Sequence, residues 1–326
     1  MSSNTSPPLR TDGLHHVTAI SSDPQANVDV YTDVLGLRLV KRTVNFDDPG
    51  TYHLYYGDEV GSPGTVVTFF PFEGASGGRV GRGQTSATAF VIPQGSVEYW
   101  IDRLESSDAV DVDDPIERFG ETVVPFRDHD GQPLELVTGE SDIEPWDGGP
   151  VPAEHAIRGF HGVTLDSLNP DATGDVLETL GYERVGTAGE RTRFRAADDR
   201  AAVVDLLDRP DGDRGRQGVG TVHHVAFRTA DDETQEAWHD RLAEAGLQVT
   251  PQKDRQYFRS IYFREPGRIL FEIATDGPGF DRDERVAELG TELKLPPWLE
   301  DDRESLEERL PALEVDRSIE RTEGVN

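Results

Sequence analysis

The sequence predicts an α+β fold of four βαβββ modules, which form two curled sheets of paired modules and are followed by a helical C-terminal extension. The main observation is a repeated strand motif, seen as His15-His-Val-Thr, His161-Gly-Val-Thr and His223-His-Val-Ala. After each motif come a helical segment that ends near a glycine and several short β-rich runs. Such internal repetition indicates a fold built from copies of one supersecondary unit.

The first module shows this unit most clearly. Residues 15–20 form an apolar, strand-like run, and a helix is predicted from Asp23-Pro24 because aspartate caps a helix and proline is tolerated in its first turn. The helix carries an apolar stripe and ends at Gly36. Residues 37–44, 51–56 and 65–70 are then predicted to be strands.

The same order of elements recurs three times. Module two is predicted as strand 85–92, helix 96–104 and weaker strands that end with 133–137. Module three is predicted as strand 159–165, helix 171–180 and strands within 182–207. Module four is predicted as strand 222–228, helix 232–245 and strands 247–250, 260–263 and 269–274.

A stretch rich in proline, glycine and acid, residues 139–156, is predicted to be a domain linker. It divides the chain into modules one and two over 13–140 and modules three and four over 156–275. An acidic and mostly helical extension is predicted over 276–326. Within it, Trp298 and Leu299 are expected to pack on the body of the protein.

Composition excludes several classes of protein. The 326-residue chain has no cysteine, which rules out disulfides, thiolate metal ligands and a cysteine nucleophile. Residues 1–12 are polar and do not resemble a signal peptide, and no apolar run approaches the ~20 residues that span a bilayer. A cytoplasmic protein without membrane contact is therefore expected.

The formal net charge is −31, and the acidic residues are spread over the whole chain. This pattern is typical of a halophilic protein, because concentrated salt screens the repulsion between carboxylates. An ordinary acidic protein is the alternative. Nucleic acid is not an expected partner in either case, since phosphate binding needs clustered lysine and arginine.

Two histidine pairs and one glutamate interrupt otherwise apolar strands: His15-His16, His223-His224 and Glu272. Burying these groups costs free energy unless they have partners, and imidazoles with a carboxylate are a common ligand set for divalent transition metals. Adjacent residues of a regular strand face opposite sides. One histidine of each pair is therefore expected to bind a metal, while the other forms hydrogen bonds.

Several longer motifs resemble a known family. They are Leu14-His-His-Val-Thr-Ala-Ile20, Leu35-Gly-Leu-Arg-Leu-Val-Lys-Arg-Thr-Val-Asn-Phe-Asp47, Tyr52-His-Leu-Tyr-Tyr-Gly-Asp58, Gly64-Thr-Val-Val-Thr-Phe-Phe-Pro71 and Asp254-Arg-Gln-Tyr-Phe-Arg-Ser-Ile-Tyr-Phe-Arg-Glu-Pro266. In these motifs the chain is similar to the vicinal oxygen chelate superfamily of glyoxalases, bleomycin resistance proteins and extradiol dioxygenases. Within that superfamily it resembles the ring-cleaving dioxygenases that act on hydroquinones. The resemblance covers about residues 13–300.

The resemblance implies an Fe(II)-dependent dioxygenase, with Mn(II) as the alternative metal, that inserts O₂ beside a hydroxyl of a hydroquinone-like ring. It assigns the metal ligands to His16, His224 and Glu272, with His15 and Thr18 beside the first of them. The expected partners are a small aromatic substrate and O₂. A homo-oligomer is also compatible with the resemblance.

The resemblance also places His223, Arg255 and Tyr262 near the substrate. In these positions Tyr262 or His223 is expected to take the proton of the substrate hydroxyl, and Arg255 is expected to stabilise developing negative charge. Five other histidines have no partner pattern and are interpreted as structural or exposed: His53, His129, His155, His161 and His239. Glu135, the counterpart of Glu272 in module two, is expected to lie in a second cleft without a metal.

Two other functions remain open at the level of sequence. A glyoxalase-type isomerase or lyase shares the fold, but such sites usually have four protein ligands that include two glutamates, whereas three candidates align here. A non-enzymatic resistance protein that binds an aromatic compound is the second alternative, although such proteins usually lack the three ligands. Oxygen consumption distinguishes the dioxygenase from both.

The ligands also predict how the modules pair. If modules one and two shared a cleft, His16 would lie apart from His224 and Glu272, and each cleft would hold an incomplete and costly ligand set. We therefore expect module one to pair with module four and module two with module three, within one chain or across a dimer. This pairing predicts one metal per chain.

Overall fold

The computed structural model describes residues 9–198 and 200–315, and it contains the four predicted modules. Module one contributes strands β1 (Leu14–Ser21), β2 (Arg38–Asn45), β3 (Asp48–Gly57) and β4 (Val66–Pro71). Module two contributes β5 (Gln84–Ile92), β6 (Asp111–Val112), β7 (Ile116–Arg118), β8 (Glu121–Arg127) and β9 (Pro133–Thr138). Module three contributes β10 (Phe160–Asp166), β11 (Glu183–Ala188), β12 (Arg191–Arg195) and β13 (Val203–Leu207). Module four contributes β14 (Thr221–Thr229), β15 (Lys253–Asp254), β16 (Arg259–Arg264) and β17 (Leu270–Thr275).

The strands form two sheets, and each sheet takes its strands from both halves of the chain. The first has the order β15-β16-β17-β14-β1-β4-β3-β2, so it joins modules one and four. The second has the order β11-β12-β13-β10-β5-β9-β8-β6, with β7 paired to β8, so it joins modules two and three. The predicted module pairing is confirmed within one chain, while the division into domains at 140 and 156 stays a prediction.

The register of the first sheet brings three distant residues together. Strands β1 and β14 are antiparallel, with His16 opposite Ala226 and Thr18 opposite His224. Strands β14 and β17 are parallel, with Ala226 beside Glu272. Because side chains two positions apart in a strand share a face, His16, His224 and Glu272 all lie on one face of the sheet.

The opposite face of this sheet belongs to the main hydrophobic core. Val17, Val225 and Ile273 each directly follow one of the three candidate ligands, and all three are fully buried in the core. Trp100 and Trp238, which come from helices that cover the sheets, are also fully buried there. The alternation along each strand therefore separates an apolar core face from a face that is available for a site.

Four helices follow the first strands of the modules: α1 (Pro24–Val28), α2 (Val97–Glu105), α3 (Pro170–Thr179) and α4 (Asp232–Glu244). As predicted, Asp23 caps α1, since its side chain accepts a hydrogen bond from the Ala26 amide at 2.9 Å. The predicted helix continues beyond Val28 as a π-helix, Asp29–Val34. None of the helices in the described part of the chain is long and apolar enough to cross a membrane.

The predicted strand over 247–250 is wrong. In this segment Val249 makes only an isolated bridge to Phe263, and the short strand β15 takes the edge position of the sheet instead. The amide of Thr250 donates to the carbonyl oxygen of Tyr262 at 2.9 Å, so the segment touches β16 at one point, and the chain then continues to β15. The apolar residues Leu247 and Val249 pack against the core without forming a ladder.

The C-terminal extension is less helical than predicted. It contains three short 3-10 helices, Phe280–Arg282, Val286–Glu288 and Pro297–Asp302, and one α-helix, α5 (Arg303–Arg309). Between them the chain is irregular, and residues 316–326 lie outside the described residues. The structure thus confirms a C-terminal helix but not a continuous helical region.

The extension is attached to module one by a buried ion-pair cluster. Lys41, which is fully buried in β2, lies 2.6 Å from the carboxylate of Asp283 and also contacts Glu284. Leu299 packs against the core as predicted. Trp298 is 52% exposed and touches only the edge of Phe46, so the prediction that it packs on the body is largely wrong.

Candidate metal centre

Three candidate ligand atoms converge on the open face of the first sheet. The Nε2 atoms of His16 and His224 are 3.2 Å apart, and they lie 3.5 and 2.9 Å from Oε2 of Glu272. Two ligands bound at right angles to one ion, each at about 2.1 Å, are about 3 Å apart. The spacing of the three atoms is therefore that of ligands to a single ion.

The histidine pair on β1 fixes which nitrogen of His16 faces the cluster. Nε2 of His15 lies 3.1 Å from the carbonyl oxygen of Thr275, so this nitrogen carries the proton and donates. Nδ1 of His15 then accepts a hydrogen bond from Nδ1–H of His16, at 3.0 Å. His16 is thereby left with a free lone pair on Nε2, which is the form that binds a metal.

The pair on β14 repeats this arrangement. Nδ1 of His223 lies 2.7 Å from Nδ1 of His224, whose Nε2 points into the cluster. If His224 binds through Nε2, its Nδ1–H donates to His223, and Nε2 of His223 carries a proton. His223 is partly exposed, so it presents this N–H at the rim of the site.

Glu272 provides the test of whether a cation fits. Its side chain is fully buried, and Oε1 accepts a hydrogen bond from Ser260 at 2.5 Å. Oε2 has no hydrogen-bond donor among the described residues, although it faces two imidazole nitrogens. Since lone pairs of His16, His224 and Glu272 face one another in a buried space, a divalent cation fits this donor set.

The electrostatics favour neutral imidazoles at His15 and His223 and an ionised carboxylate at Glu272. Burial lowers the pKa of His15 to about 3, and His16 shifts it in the same direction. Burial likewise lowers the pKa of His223 to about 3, with His224 acting in the same sense. Burial raises the pKa of Glu272, but the facing imidazoles outweigh it and hold this pKa well below its ordinary value.

Arg255 and Tyr262 from module four lie beside the cluster. Nε of Arg255 donates to the hydroxyl oxygen of Tyr262 at 3.1 Å, and the Tyr262 ring lies 5.7 Å from the ring of His224. Burial raises the pKa of Tyr262, and Glu272 raises it further, so the phenol keeps its proton. Because its oxygen already accepts from Arg255, its O–H remains able to donate into the cleft.

Sequence reasoning missed Asp47, which holds Arg255 from the other module. Oδ2 of Asp47 lies 2.9 Å from Nη2 of Arg255. Asp47 lies in the turn between β2 and β3, and its side chain is largely exposed. No local pattern in the sequence marks this residue, since the contact exists only because modules one and four share a sheet.

The interpretation of His53 as an unpartnered structural histidine is also incomplete. His53 lies on β3 of the same sheet and forms hydrogen bonds to Thr68 and Tyr55. Burial lowers its pKa well below the ordinary value. Its partner Thr68 lies beside Thr18, two residues after His16, so His53 belongs to the strand region next to the ligands. The periodicity of β3 places His53 and Tyr55 on one face, but the sequence does not show that this face meets the cluster.

The four remaining histidines have contacts away from the cluster. Nε2 of His161 lies 3.0 Å from Glu121, and Nε2 of His129 lies 3.2 Å from Asp130. The ring of His155 stacks on Tyr99, and His239 is half-exposed beside Asp240. These positions agree with a structural or exposed role.

The second sheet repeats the geometry of the site without its imidazoles. Glu135 is beside Ala89, and Ala89 is opposite Gly162, which matches the Glu272, Ala226 and His16 row of the first sheet. Gly162 thus replaces His16, and Ala87 stands in the position of His224.

A guanidinium takes the cation position in this second cleft. Both oxygens of Glu135 accept hydrogen bonds from Arg118, at 2.7 and 2.9 Å. Glu135 and Ala87 line a cavity of about 380 Å³. Within the described ranges, His16, His224 and Glu272 are the one cluster of three or more potential metal ligands.

The chain is similar in sequence to known proteins. The chain is 51% identical over 308 residues to a Bacillus subtilis (strain 168) protein named "Putative ring-cleaving dioxygenase MhqO", which covers 94% of this chain and 98% of the relative. It is 37% identical over 309 residues, 92% of this chain and 96% of the relative, to "Chlorohydroquinone/hydroquinone 1,2-dioxygenase" of Sphingobium indicum.

A crystal structure described as "putative dioxygenase from Bacillus subtilis subsp. subtilis str. 168" superposes with a TM-score of 0.91. It has 50% identity and covers 94% of this chain and 99% of that chain. The family model described as Glyoxalase/Bleomycin resistance protein/Dioxygenase superfamily matches twice, at residues 13–136 and 150–273. The two matches agree with the internal repeat, and the chain therefore belongs to the glyoxalase, bleomycin resistance protein and dioxygenase superfamily.

Proposed function

We propose that this protein is a metal-dependent, ring-cleaving dioxygenase of the extradiol type that acts on a hydroquinone-like aromatic compound. The observation that carries the proposal is the convergence of His16, His224 and Glu272 from three neighbouring strands. Two histidines and one carboxylate on one side of an ion leave positions open for two further ligands, which is typical of non-haem iron oxygenases. The names of the relatives support an aromatic substrate with para-hydroxyl groups.

His16, His224 and Glu272 would hold Fe(II), with Mn(II) as the alternative, and the bound ion would supply electron transfer between the aromatic ring and oxygen. His15 and His223 orient the ligand imidazoles through their Nδ1 atoms. Ser260 orients the carboxylate of Glu272 through Oε1. These hydrogen bonds fix the ligand atoms before any substrate enters.

The residues around the cluster act mainly as hydrogen-bond donors. Nε2–H of His223, the guanidinium of Arg255 and the hydroxyl of Tyr262 all belong to this rim. Three donors favour the ionised form of a substrate hydroxyl and stabilise negative charge that develops on oxygen. In the overall reaction both atoms of O₂ enter the substrate, and the ring bond beside a hydroxyl-bearing carbon breaks.

The experiment that tests this function is oxygen uptake with a substrate panel. Protein loaded anaerobically with Fe(II) is mixed with hydroquinone, methylhydroquinone, chlorohydroquinone or catechol in an oxygen electrode. We expect one O₂ consumed per hydroquinone and loss of the aromatic absorbance. In a parallel assay, isomerisation of a thiohemiacetal without oxygen uptake supports the glyoxalase alternative. Binding of the aromatic compound without turnover supports the resistance protein.

The net charge of the protein indicates the salt environment in which the enzyme works. With a formal net charge of −31 spread over the chain, we infer a cytoplasmic protein adapted to concentrated salt. Its partners are the aromatic substrate and O₂, and a homo-oligomer is compatible with the fold. Size-exclusion chromatography with light scattering in molar salt measures the oligomeric state.

A further inference from the structure

A row of polar side chains crosses the first sheet next to the candidate ligands. Thr18 of β1 is beside Thr68 of β4, and Thr68 is opposite Tyr55 of β3. His53 lies two residues before Tyr55 and therefore on the same face of β3. Since Thr18 lies two residues after His16, the row and the ligand cluster share one face of the sheet.

The row is joined by hydrogen bonds that use both ring nitrogens of His53. Nε2 lies 2.8 Å from Oγ1 of Thr68, and Nδ1 lies 2.7 Å from the hydroxyl of Tyr55. Oγ1 of Thr68 is in turn 2.9 Å from Oγ1 of Thr18. With both nitrogens engaged, the plane of the His53 ring is fixed, and it has no free polar atom to offer a ligand.

The His53 ring also contacts two other aromatic rings. The centroid of His53 lies 4.0 Å from that of Tyr55, at 34°, and 4.3 Å from that of Phe70, at 43°. Phe70 meets the ring of His223 edge-on at 5.8 Å. A continuous aromatic wall thus runs from Tyr55 through His53 and Phe70 to His223, beside the ligand cluster.

The wall is uncharged. Burial lowers the pKa of His53 well below its ordinary value, and the charges of His16 and His224 act in the same direction. Burial raises the pKa of Tyr55, so its hydroxyl stays protonated. His53, Phe70 and His223 are each partly exposed, which gives the wall a surface that a flat apolar ligand can contact.

We propose that His53 is a substrate-positioning residue, whose ring, fixed by Thr68 and Tyr55, forms part of an aromatic wall against which the substrate ring packs. The inference rests on the proposed function, because that function supplies an aromatic substrate. An aromatic pair of this kind corresponds to at most about a tenfold change in Kd. Tyr262 and Arg255 belong to module four of the same sheet, so in this proposal the substrate ring lies where modules one and four meet.

Two variants separate the ring of His53 from its hydrogen bonds. His53→Gln keeps polar atoms for Thr68 and Tyr55 but removes the aromatic ring, while His53→Phe keeps a ring and removes both hydrogen bonds. His239→Ala, at a half-exposed position on α4, is the control. Hydroquinone binding to the Fe(II)-loaded proteins is measured by anaerobic calorimetry, together with iron content, KM and kcat.

We expect His53→Gln to weaken hydroquinone binding about tenfold and to raise KM more than it lowers kcat. His53→Phe should bind better than His53→Gln, and both variants should retain full iron, as should the control. Equal Kd for wild type and His53→Gln, or loss of iron in both His53 variants, overturns the proposal.

The outcomes also separate this proposal from the proposed function. Wild type that binds hydroquinone but consumes no oxygen contradicts ring cleavage, whereas the comparison of the two His53 variants still stands. Wild type that consumes oxygen, together with variants of unchanged Kd, contradicts the His53 role alone. Wild type that binds none of the aromatic compounds contradicts both.

Discussion

Glu272 is fully buried, and one of its oxygens faces two imidazole nitrogens without a hydrogen-bond donor in the described part of the chain. Ionised carboxylates in such surroundings need a cation or several donors, because the cost of removing the charge from water is several kcal/mol. The tautomer of His16, fixed by His15 and Thr275, directs a lone pair to the same point. These local contacts support the proposal that the cluster binds a divalent ion.

The donors at the rim are predicted to act in turnover and not in metal binding. Tyr262→Phe and His223→Ala each remove a hydrogen-bond donor toward the substrate but no ligand atom, so we expect kcat to fall about tenfold to a hundredfold. Because His223 also supports His224, the variants are loaded with excess Fe(II), and both should then hold iron at the wild-type level. Tyr99→Phe serves as the control, because the ring of Tyr99 stacks on His155 away from the ligand cluster. Loss of iron in Tyr262→Phe would place this residue among the ligands or their supports.

Glu121 makes stability depend on pH in the second sheet. Its oxygens accept hydrogen bonds from His161 at 3.0 Å and from Arg193 at 2.5 Å. Burial raises the pKa of this carboxyl, but the two hydrogen bonds outweigh it and lower the pKa from 4.5 to about 2. Because the folded pKa lies below the unfolded one, the stabilisation is complete above pH 4.5 and is lost as the pH falls toward 2.

We therefore expect the stability difference between wild type and Glu121→Gln to be largest near pH 6 and to shrink steadily below pH 4.5. Urea unfolding of both proteins at a series of pH values measures this difference. Glu105→Gln, at an exposed helix position, should show no comparable trend. A constant difference between wild type and Glu121→Gln from pH 6 to pH 3 would contradict the assignment.

At the scale of elements, the sheet order decides which residues meet. Strands β1, β14 and β17 lie side by side, and their register places His16, Ala226 and Glu272 in one row. Strands β1 and β14 each carry one histidine pair. The site is therefore a property of the pairing between modules one and four.

The strand motifs predict the four modules. The need to complete a ligand set predicts how the modules pair and that His16, His224 and Glu272 meet. Asp47 and His53 were not predicted as members of the site, because their contacts with Arg255 and with the ligand face depend on distances between modules. The apolar residues of 247–250 predict a strand, but this segment makes a single bridge to β16, and β15 takes the edge position. Local patterns thus predict elements, while edges and contacts between modules require the structure.

The link between β2 and the C-terminal extension is predicted to be important for stability. Lys41 is fully buried between Asp283 and Glu284, so Lys41→Met leaves two carboxylates without their cation. Breaking a buried ion pair by removing one partner costs roughly 3–5 kcal/mol, and we expect a loss of about 3 kcal/mol in urea unfolding.

Lys294→Met is the matched control for this variant, because Lys294 pairs with the exposed carboxylate of Glu292 at 3.3 Å. Such surface pairs contribute about 0–1 kcal/mol. Equal unfolding free energies for the two variants would show that the extension is held by its apolar contacts alone. Leu295 and Leu306, both buried in the main core, supply those contacts.

The whole molecule carries a formal net charge of −31, with 63 acidic residues against 32 lysines and arginines. Repulsion between surface charges reaches about 10 Å at 0.1 M salt and about 3 Å at 1 M salt. We therefore expect the melting temperature to rise by several degrees between millimolar and molar KCl, which differential scanning calorimetry measures. An unchanged melting temperature across this range would contradict adaptation to concentrated salt.

The two sheets make the metal site depend on both ends of the chain. His16 lies near the N-terminus, while His224 and Glu272 belong to module four, more than two hundred residues further along. The second sheet has the same plan, but Arg118 pairs with Glu135 where the first sheet gathers its ligands. One metal per chain is therefore expected.

The central claim is tested most directly by the iron content of His16→Ala, measured by plasma emission spectroscopy after anaerobic loading with Fe(II). Glu272→Ala is the comparison, and His161→Ala, whose imidazole binds Glu121 in the second sheet, is the control. We predict about one iron per chain in wild type and in His161→Ala, and equally complete loss in His16→Ala and Glu272→Ala. Full iron in folded His16→Ala would contradict a site shared between modules one and four.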